Sequence, residues 1–268
     1  MLAEAPPDMS AEVPPKPDVG PLRFERAIED SGMVSTAAIG GGCARCGLRD
    51  QCLPQGLSEA GANEFRSLIF SHRRLKFGQA LYRSGESFEA VYLVRAGFLK
   101  TVVLLEDGRE QVTGLYMPGD MLGMDGIALS THSSDAIALV DSDICVVPYE
   151  RLEAMTNDER PMRRHLNRML SHEIVREQRM MLLLGTMSAE ERVAAFLLNL
   201  SQRFSARGFS GSEFVLRMTR EEIGSLLGMK LETVSRIFSR FQKDRLIEID
   251  GKHVRIVSIE GLQELLRR

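Results

Sequence analysis

Short apolar runs separated by turn residues fill the chain between about residues 75 and 148. The runs at 90–94 and 98–105 are each followed by a turn sequence, Arg95-Ala96-Gly97 and Glu106-Asp107-Gly108. An Asp-Gly pair between two alternating runs is typical of a β-hairpin. The pattern therefore predicts a small antiparallel barrel or jelly roll.

A helical pattern replaces the strand pattern from Pro161 onward. Apolar residues then recur at helical spacing over roughly 25 residues; they are Leu166, Leu170, Ile174, Met181 and Leu184. A helix this long with one narrow apolar stripe packs either on its own barrel or against a second copy of itself. Because polar residues dominate its other faces, we favour a dimer seam. The seam residues are Leu170, Ile174, Glu177 and Met181.

Two short helices are predicted near the C-terminus. The sequence Thr219-Arg220-Glu221-Glu222 is a capping box and starts the first helix, which Gly228 ends. The second helix has one apolar face, formed by Val234, Ile237, Phe238 and Phe241. Two short helices joined by a glycine turn indicate a helix-turn-helix. Apolar runs at 246–249 and 253–257, around Asp250-Gly251-Lys252, add the hairpin of a winged helix.

The polar face of the second helix carries side chains suited to DNA. Glu232, Ser235, Arg236, Ser239 and Arg240 lie opposite its apolar face. Arginine pairs well with guanine, glutamate accepts from cytosine, and serine contacts base edges or phosphates. A charged helix face is often merely solvated, but here the cap, the turn and the wing coincide with it. We therefore predict DNA binding and include Thr233 and Arg220 among the candidate contacts.

Composition supports a globular protein of two modest domains. The chain has 268 residues, 44% of them hydrophobic, and about 150 residues per domain is usual. The net charge of −3 argues against a nucleic-acid coat, but residues 187–268 carry +3 and the remainder −6. Neither a signal peptide nor an apolar run of 18 residues is found, so we expect a soluble, cytoplasmic protein without a membrane partner.

The four cysteines are few but closely placed. Cys43, Cys46 and Cys52 lie within ten residues, and Cys145 follows 93 residues after Cys52. Zinc sites usually use two close pairs, whereas iron–sulfur clusters accept four cysteines with one from afar. We favour a cluster and leave zinc, a redox disulfide and free thiols as alternatives. The five histidines form no metal-spaced pair, and are expected on surfaces or in partial cores. No catalytic constellation is found, so the chain is predicted not to be an enzyme.

The predicted order of barrel, long helix and winged helix-turn-helix resembles the Crp/Fnr family of bacterial transcription regulators. The segments 189–192 (AEER), 207–210 (RGFS) and 231–236 (LETVSR) carry this resemblance. The cysteines are similar to those of its oxygen-sensing FNR branch. The resemblance implies a [4Fe-4S] cluster on Cys43, Cys46, Cys52 and Cys145. It also implies that a cluster-loaded homodimer uses Glu232, Ser235 and Arg236 to read palindromes with TTGAT-type half-sites.

The same comparison bears on two further partners. Relatives that bind cyclic AMP have a glutamate where this chain has Met124 and an arginine that is absent here, with Asp135 nearby, so no cyclic nucleotide is expected. In relatives the hairpin tip at 104–109 contacts RNA polymerase. That comparison suggests Leu104, Gly108 and Arg109 as contacts, with an ordinary solvated turn as the alternative.

We therefore predict an α+β protein in four parts. Residues 1–42 form a flexible arm rich in Pro and Gly, and 43–160 a sensory barrel of the jelly-roll, cyclic-nucleotide-binding type with a cluster-binding loop. Residues 161–186 form a dimerisation helix and 187–268 a winged helix-turn-helix. The predicted function is an oxygen-responsive regulator, mainly an activator, of the switch to anaerobic metabolism. Alternatives are a related regulator that senses through zinc, haem or a disulfide, and an electron-transfer protein.

Overall fold

The computed structural model of the chain describes residues 46, 48, 58–68 and 71–267. The predicted arm at 1–42 and the predicted ligands Cys43 and Cys52 lie outside these residues. Helix α1, Glu59–Leu68, precedes the barrel. None of the helices in the described part of the chain is long and apolar enough to span a membrane.

Eight strands form two antiparallel four-stranded sheets, with orders β1-β8-β3-β6 and β2-β7-β4-β5. Their facing sides bury an apolar core that includes Leu81, Val94, Leu99 and Ile144. This architecture confirms the predicted barrel of the jelly-roll type. The strands are β1 Ser71–Leu75, β2 Ala80–Tyr82, β3 Ala90–Ala96, β4 Leu99–Leu104, β5 Glu110–Tyr116, β6 Met121–Leu122, β7 Asp135–Ala138 and β8 Ser142–Pro148.

Two predicted turns are confirmed, and only the second of them forms a hairpin, because β4 pairs with β5 whereas β3 and β4 lie in different sheets. Gly97 joins β3 to β4 with a φ of 96°, and a Cβ there would lie 2.6 Å from the Ser142 Cα. Only glycine fits this turn, because both the dihedral angle and the close approach exclude a side chain. Gly108, with a φ of 81°, turns β4 into β5, and the Leu105 N–H donates across the turn to the Arg109 carbonyl.

Helix α2, Tyr149–Asp158, leads into the long helix α3, Arg160–Thr186. Pro161 lies in the first turn of α3, where its missing N–H costs nothing. The start of α3 packs on the barrel through buried Met162. Farther along, Ile174 is 59% and Met181 73% exposed. The helix thus packs on its own barrel at one end and presents an apolar stripe to solvent at the other.

The C-terminal domain, which comprises the elements after α3, is a winged helix-turn-helix as predicted. The Thr219 hydroxyl accepts from the Glu222 N–H at 3.1 Å, and the Glu222 carboxylate accepts from the Thr219 N–H at 2.7 Å. A second capping box, at Ser188, starts the preceding helix. The elements are α4 Ala189–Ser205, β9 Glu213–Val215, α5 Arg220–Leu226, α6 Leu231–Lys243, β10 Ile247–Asp250, β11 His253–Ile256 and α7 Ile259–Leu265.

The C-terminal domain is held against the barrel along strand β5. The Val112 N–H donates to the Ser225 hydroxyl at 2.8 Å. The Lys100 ammonium lies 2.7 Å from the Glu222 carboxylate, with side chains only 14% and 18% exposed. The Glu222 carboxylate therefore both caps α5 and forms an ion pair with Lys100 of the barrel.

We expect Glu222→Gln to destabilise the protein by about 2 kcal/mol at neutral pH, since the amide keeps the cap but loses the charge that pairs with Lys100. Burial by itself raises the pKa of Glu222, but the hydrogen bonds from Lys100 and Thr219 outweigh it, so the pKa lies below its usual value. The charge therefore stabilises the folded protein above the unfolded-state pKa, and this contribution is lost as the pH falls through the lower folded-state value.

The measurement is urea unfolding of wild type and variant between pH 7 and pH 3.5. The difference between them is expected to shrink below about pH 4.3, the ordinary pKa of glutamate. Glu221→Gln, at an exposed position in the same turn, is the control and should stay within about 0.5 kcal/mol of wild type. A loss at Glu222 that does not change with pH would show that the charge is not responsible.

Candidate functional site

Helix α6 presents the side chains predicted to read DNA. Val234, Ile237, Phe238 and Phe241 are buried, which fixes the rotation of the helix in its domain. The opposite face is polar and its side chains are exposed or half-buried, as predicted; its residues are Glu232, Thr233, Ser235, Arg236, Ser239 and Arg240. The Arg236 guanidinium lies 3.5 Å from the Thr233 hydroxyl, and the Arg236 side chain is exposed to solvent.

Two other predicted contacts are engaged within the protein. The Arg240 guanidinium pairs with the Glu190 carboxylate of α4 and lies 3.9 Å from Asp244. Arg220 stacks over the Phe238 ring, with its guanidinium carbon 3.8 Å from the ring centre. Burial lowers the pKa of Arg220. Both arginines must therefore exchange an internal contact for a phosphate if they bind DNA.

Cys145 lies in β8, buried on the face of the sheet that α1 and α2 cover. It pairs in register with His72 of β1, and its Sγ lies 3.8 Å from the His72 Nδ1. The same Nδ1 lies 3.5 Å from the Asp143 carboxylate, which the Arg95 guanidinium holds at 3.2 Å. The His72 imidazole therefore lies between the Cys145 sulfur and the Asp143 carboxylate.

An apolar cluster around Cys145 joins helices α1, α2 and α3 to the barrel. Phe65 of α1, Leu93 of β3, Met155 of α2 and Met162 of α3 all belong to it. The thiol therefore lies where the N-terminal segment, the barrel and the start of the long helix meet. A change at the sulfur can reach α3 through directly packed side chains.

The described residues hold no group of three or more His, Cys, Asp or Glu that could bind a metal ion. Cys46 is half-buried and Cys145 is buried. Cys52 lies six residues before Ser58 in the sequence. Six residues span at most about 20 Å. Because Phe65 of α1 packs in the cluster that contains Cys145, the segment with the other cysteines is followed directly by a helix that covers this thiol. Four thiolates also match the ligand type of iron–sulfur clusters, so the residues fit such a group.

The predicted seam residues share one stripe of α3. Leu170 is half-buried, whereas Ile174, Glu177 and Met181 are exposed. The Glu177 carboxylate lies 3.7 Å from the Arg176 guanidinium. The stripe is apolar except for this carboxylate.

Sequence reasoning missed the contact that ties the middle of α3 to the barrel. The Arg176 guanidinium donates to the Tyr116 hydroxyl at 2.7 Å, lies over the Tyr116 ring, and pairs with Glu173. Burial raises the pKa of both Tyr116 and Glu173. Beside this contact is a cavity of about 390 Å³ between the barrel, α3 and the C-terminal domain. The middle of α3 is therefore attached through a few polar contacts next to open space.

The barrel loop compared above with cyclic-AMP sites is closed by its own side chains. The Asp125 carboxylate accepts hydrogen bonds from residues 132–134, and Asp135 accepts from the Ser84 N–H at 2.8 Å. His132 is 2% exposed, so the expectation that it lies on a surface or in a partial core is wrong. The His132 ring stacks on the Tyr82 ring in the core, with the ring centres 3.7 Å apart. The residues next to His132 in the sequence do not predict this contact.

The hairpin tip between β4 and β5 is exposed. Leu104 is 66% exposed, and the Arg109 guanidinium pairs with Asp107 at 2.7 Å within the turn. The tip thus offers an apolar side chain and a compact charged pair to solvent.

Comparison with known families matches both domains. Residues 72–159 match the family described as cyclic nucleotide-binding domain, and residues 191–265 match the Crp-like helix-turn-helix domain. Transcriptional activator protein Anr of Pseudomonas protegens is 44% identical over 215 residues, which cover 80% of this chain and 88% of the relative. The fumarate and nitrate reduction regulatory protein of Vibrio cholerae is 40% identical over 229 residues, covering 84% and 92%.

Solved structures agree with this assignment. FixK2 from Bradyrhizobium japonicum superposes with a TM-score of 0.68 at 30% identity, covering 73% of this chain and 96% of that one. The two relatives are named as a transcriptional activator and as a regulatory protein. Together with the jelly-roll barrel, the long helix and the winged helix-turn-helix, the matches show that the chain belongs to the Crp/Fnr family of DNA-binding transcription regulators.

Proposed function

We propose that this regulator senses oxygen through a [4Fe-4S] cluster held by Cys43, Cys46, Cys52 and Cys145, and that it controls the switch to anaerobic metabolism, mainly as an activator. The observation that carries the proposal is the position of Cys145, buried beneath the helix that follows the other three cysteines. The names of relatives, among them an anaerobic regulatory protein of Haemophilus influenzae, support it.

When bound, the cluster supplies a centre that oxygen destroys. The chain's own residues hold and connect the site. Cys145 would hold it on the barrel, the His72 imidazole would lie beside the sulfur, and the apolar neighbours would exclude water. Met155 and Met162 lie in the same apolar cluster as Cys145. In this proposal, binding of the cluster to the thiol therefore changes the packing of the first turn of α3. In this proposal residues 43–160 form the sensory domain, 161–186 the dimerisation helix and 187–268 the DNA-binding domain.

Dimerisation through α3 presents two copies of α6 to successive major grooves of one duplex. Arg236 is suited to guanine and Glu232 to the cytosine that pairs with it, with Ser235 beside them, as a TTGAT-type half-site requires. In this proposal Thr233 contacts the DNA backbone, and so do Arg220 and Arg240 after they exchange their contacts with Phe238 and Glu190. The recognised site is then a palindrome, because the dimer has two-fold symmetry.

The hairpin tip is the proposed contact with RNA polymerase. Leu104 exposes an apolar side chain there, Gly108 sets the turn with its positive φ, and Arg109 is fixed by Asp107. Since β5 also packs on α5, the tip has a fixed relation to the DNA-binding helices. A polymerase bound beside the regulator can therefore meet the tip in a defined position.

We expect anaerobic reconstitution with iron and sulfide to give a broad visible absorbance that bleaches in air, with four iron atoms per chain. Cys145→Ala should abolish this absorbance, because it removes the ligand on the barrel. Ser142→Ala is the control and should retain the absorbance, because the Ser142 hydroxyl lies in the same strand but bonds to the Phe98 N–H and the Val140 carbonyl. Stoichiometric zinc without iron, a haem spectrum, or an iron content unaffected by Cys145→Ala would contradict the proposal.

Glu177→Ala is expected to promote dimerisation of the cluster-free protein in air. Two copies of α3 bring two Glu177 carboxylates together in the seam, a like-charge cost of ~1 to 3 kcal/mol. Removing it should tighten dimerisation about 5- to 150-fold, as measured by sedimentation equilibrium. Gln178→Ala, exposed on the same helix turn, is the matched control and should remain monomeric. If Glu177→Ala behaves like this control, the seam does not depend on the carboxylate.

A further inference from the structure

The two arginines on the polar face of α6 have different surroundings. The Arg236 side chain is exposed and lies near the Thr233 hydroxyl. The Arg240 guanidinium instead forms an ion pair with the Glu190 carboxylate of α4, 50 positions earlier in the chain. One side chain of the proposed DNA-reading helix is therefore bonded to the helix that begins the C-terminal domain.

The first turn of α4 is fixed by bonds that do not involve α6. The Ser188 N–H donates to the Glu191 carboxylate at 2.6 Å, as part of the capping box that starts the helix. The Arg192 guanidinium donates to the Leu184 carbonyl of α3 at 2.7 Å. Glu190 lies in this same turn, so its backbone is held in place while its side chain reaches α6.

The ion pair lies where solvent, and therefore DNA, can reach it. The Arg240 side chain is 62% exposed and that of Glu190 is 36% exposed. An exposed ion pair of this kind is weak enough for a competing ligand to replace one partner. Carboxylate and phosphate oxygens are alternative acceptors for the same guanidinium donors. A DNA phosphate can therefore replace Glu190 at Arg240 without opening the core of the domain.

We propose that Glu190 competes with the DNA backbone for Arg240 and thereby limits how tightly the protein binds any duplex. The inference rests on the proposed contact of Arg240 with the backbone. Glu190 acts through Arg240 and reads no base, so it is a positioning residue. Because phosphate contacts carry no sequence information, the competition weakens binding to all duplexes alike and leaves base recognition to the other residues of α6.

The test is Glu190→Gln, which removes the charge and keeps the length of the side chain. The reconstituted protein is titrated into a duplex with two TTGAT half-sites and into a scrambled duplex. Both dissociation constants should fall about two- to fivefold. The slope of log affinity against log salt should steepen by up to about 0.9, the value for one neutralised phosphate. Glu260→Gln, exposed in the first turn of α7, is the matched control and should change neither quantity.

The same substitution in an Arg240→Ala background separates competition from simple repulsion between Glu190 and the phosphates. The gain from Glu190→Gln should be at least about twofold larger with the guanidinium present than without it. Equal gains in both backgrounds would mean that Glu190 only repels DNA and would overturn the proposal. A gain confined to the TTGAT duplex would overturn it too, because Arg240 would then read bases.

Binding to the scrambled duplex is electrostatic, so this part of the test applies whether or not a cluster is present. If Arg240→Ala weakens binding but Glu190→Gln has no effect, the competition alone is disproved and the backbone contact of Arg240 stands. If Arg240→Ala leaves the affinity unchanged, the proposed backbone contact fails, and the competition fails with it.

Discussion

The packing around Cys145 is the constraint on which the rest of the structure depends. One buried cluster joins α1, the barrel strand β8, α2 and the start of α3, and the thiol lies inside it. Close-packed side chains transmit small displacements because they leave no free space to absorb them. Whatever binds this sulfur therefore acts at once on the N-terminal segment and on the long helix. A chemical change at the buried Cys145 thiol can therefore be passed to the helix that leads to the DNA-binding domain.

Beyond this cluster the long helix is held more loosely. Its middle is fixed by Arg176 on Tyr116 and borders a cavity of about 390 Å³, while Ile174 and Met181 face solvent. Polar contacts beside open space can be rearranged at lower cost than a packed core. The C-terminal domain is tied to the barrel through Lys100 and Glu222, and through Asp120 with Arg203 and Arg207. These ion pairs hold α6 in a defined position relative to the barrel.

Local sequence patterns predicted the helices, strands and turns well, but they did not predict contacts between residues far apart in the chain. The capping box at Thr219 and the glycine turns at Gly97 and Gly108 depend on residues within a few positions, so their patterns are visible in the chain. The Lys100–Glu222 pair joins residues 122 positions apart, and no local pattern marks it. Burial of His132 depends likewise on Tyr82, fifty residues away in sequence. The cysteine spacing predicted a cluster and the polar face of α6 predicted DNA binding. Neither pattern predicted the contact of His72 with Cys145 or the ion pair of Arg240 with Glu190.

The proposal depends above all on one link: assembly of the cluster on the four cysteines enables the protein to bind a palindromic DNA site. Fluorescence anisotropy of a duplex with two TTGAT half-sites, titrated with anaerobically reconstituted protein and again after air is admitted, tests it most directly. We expect the affinity for this duplex to fall by at least about tenfold, in step with the loss of visible absorbance. Equal affinities before and after bleaching would contradict it.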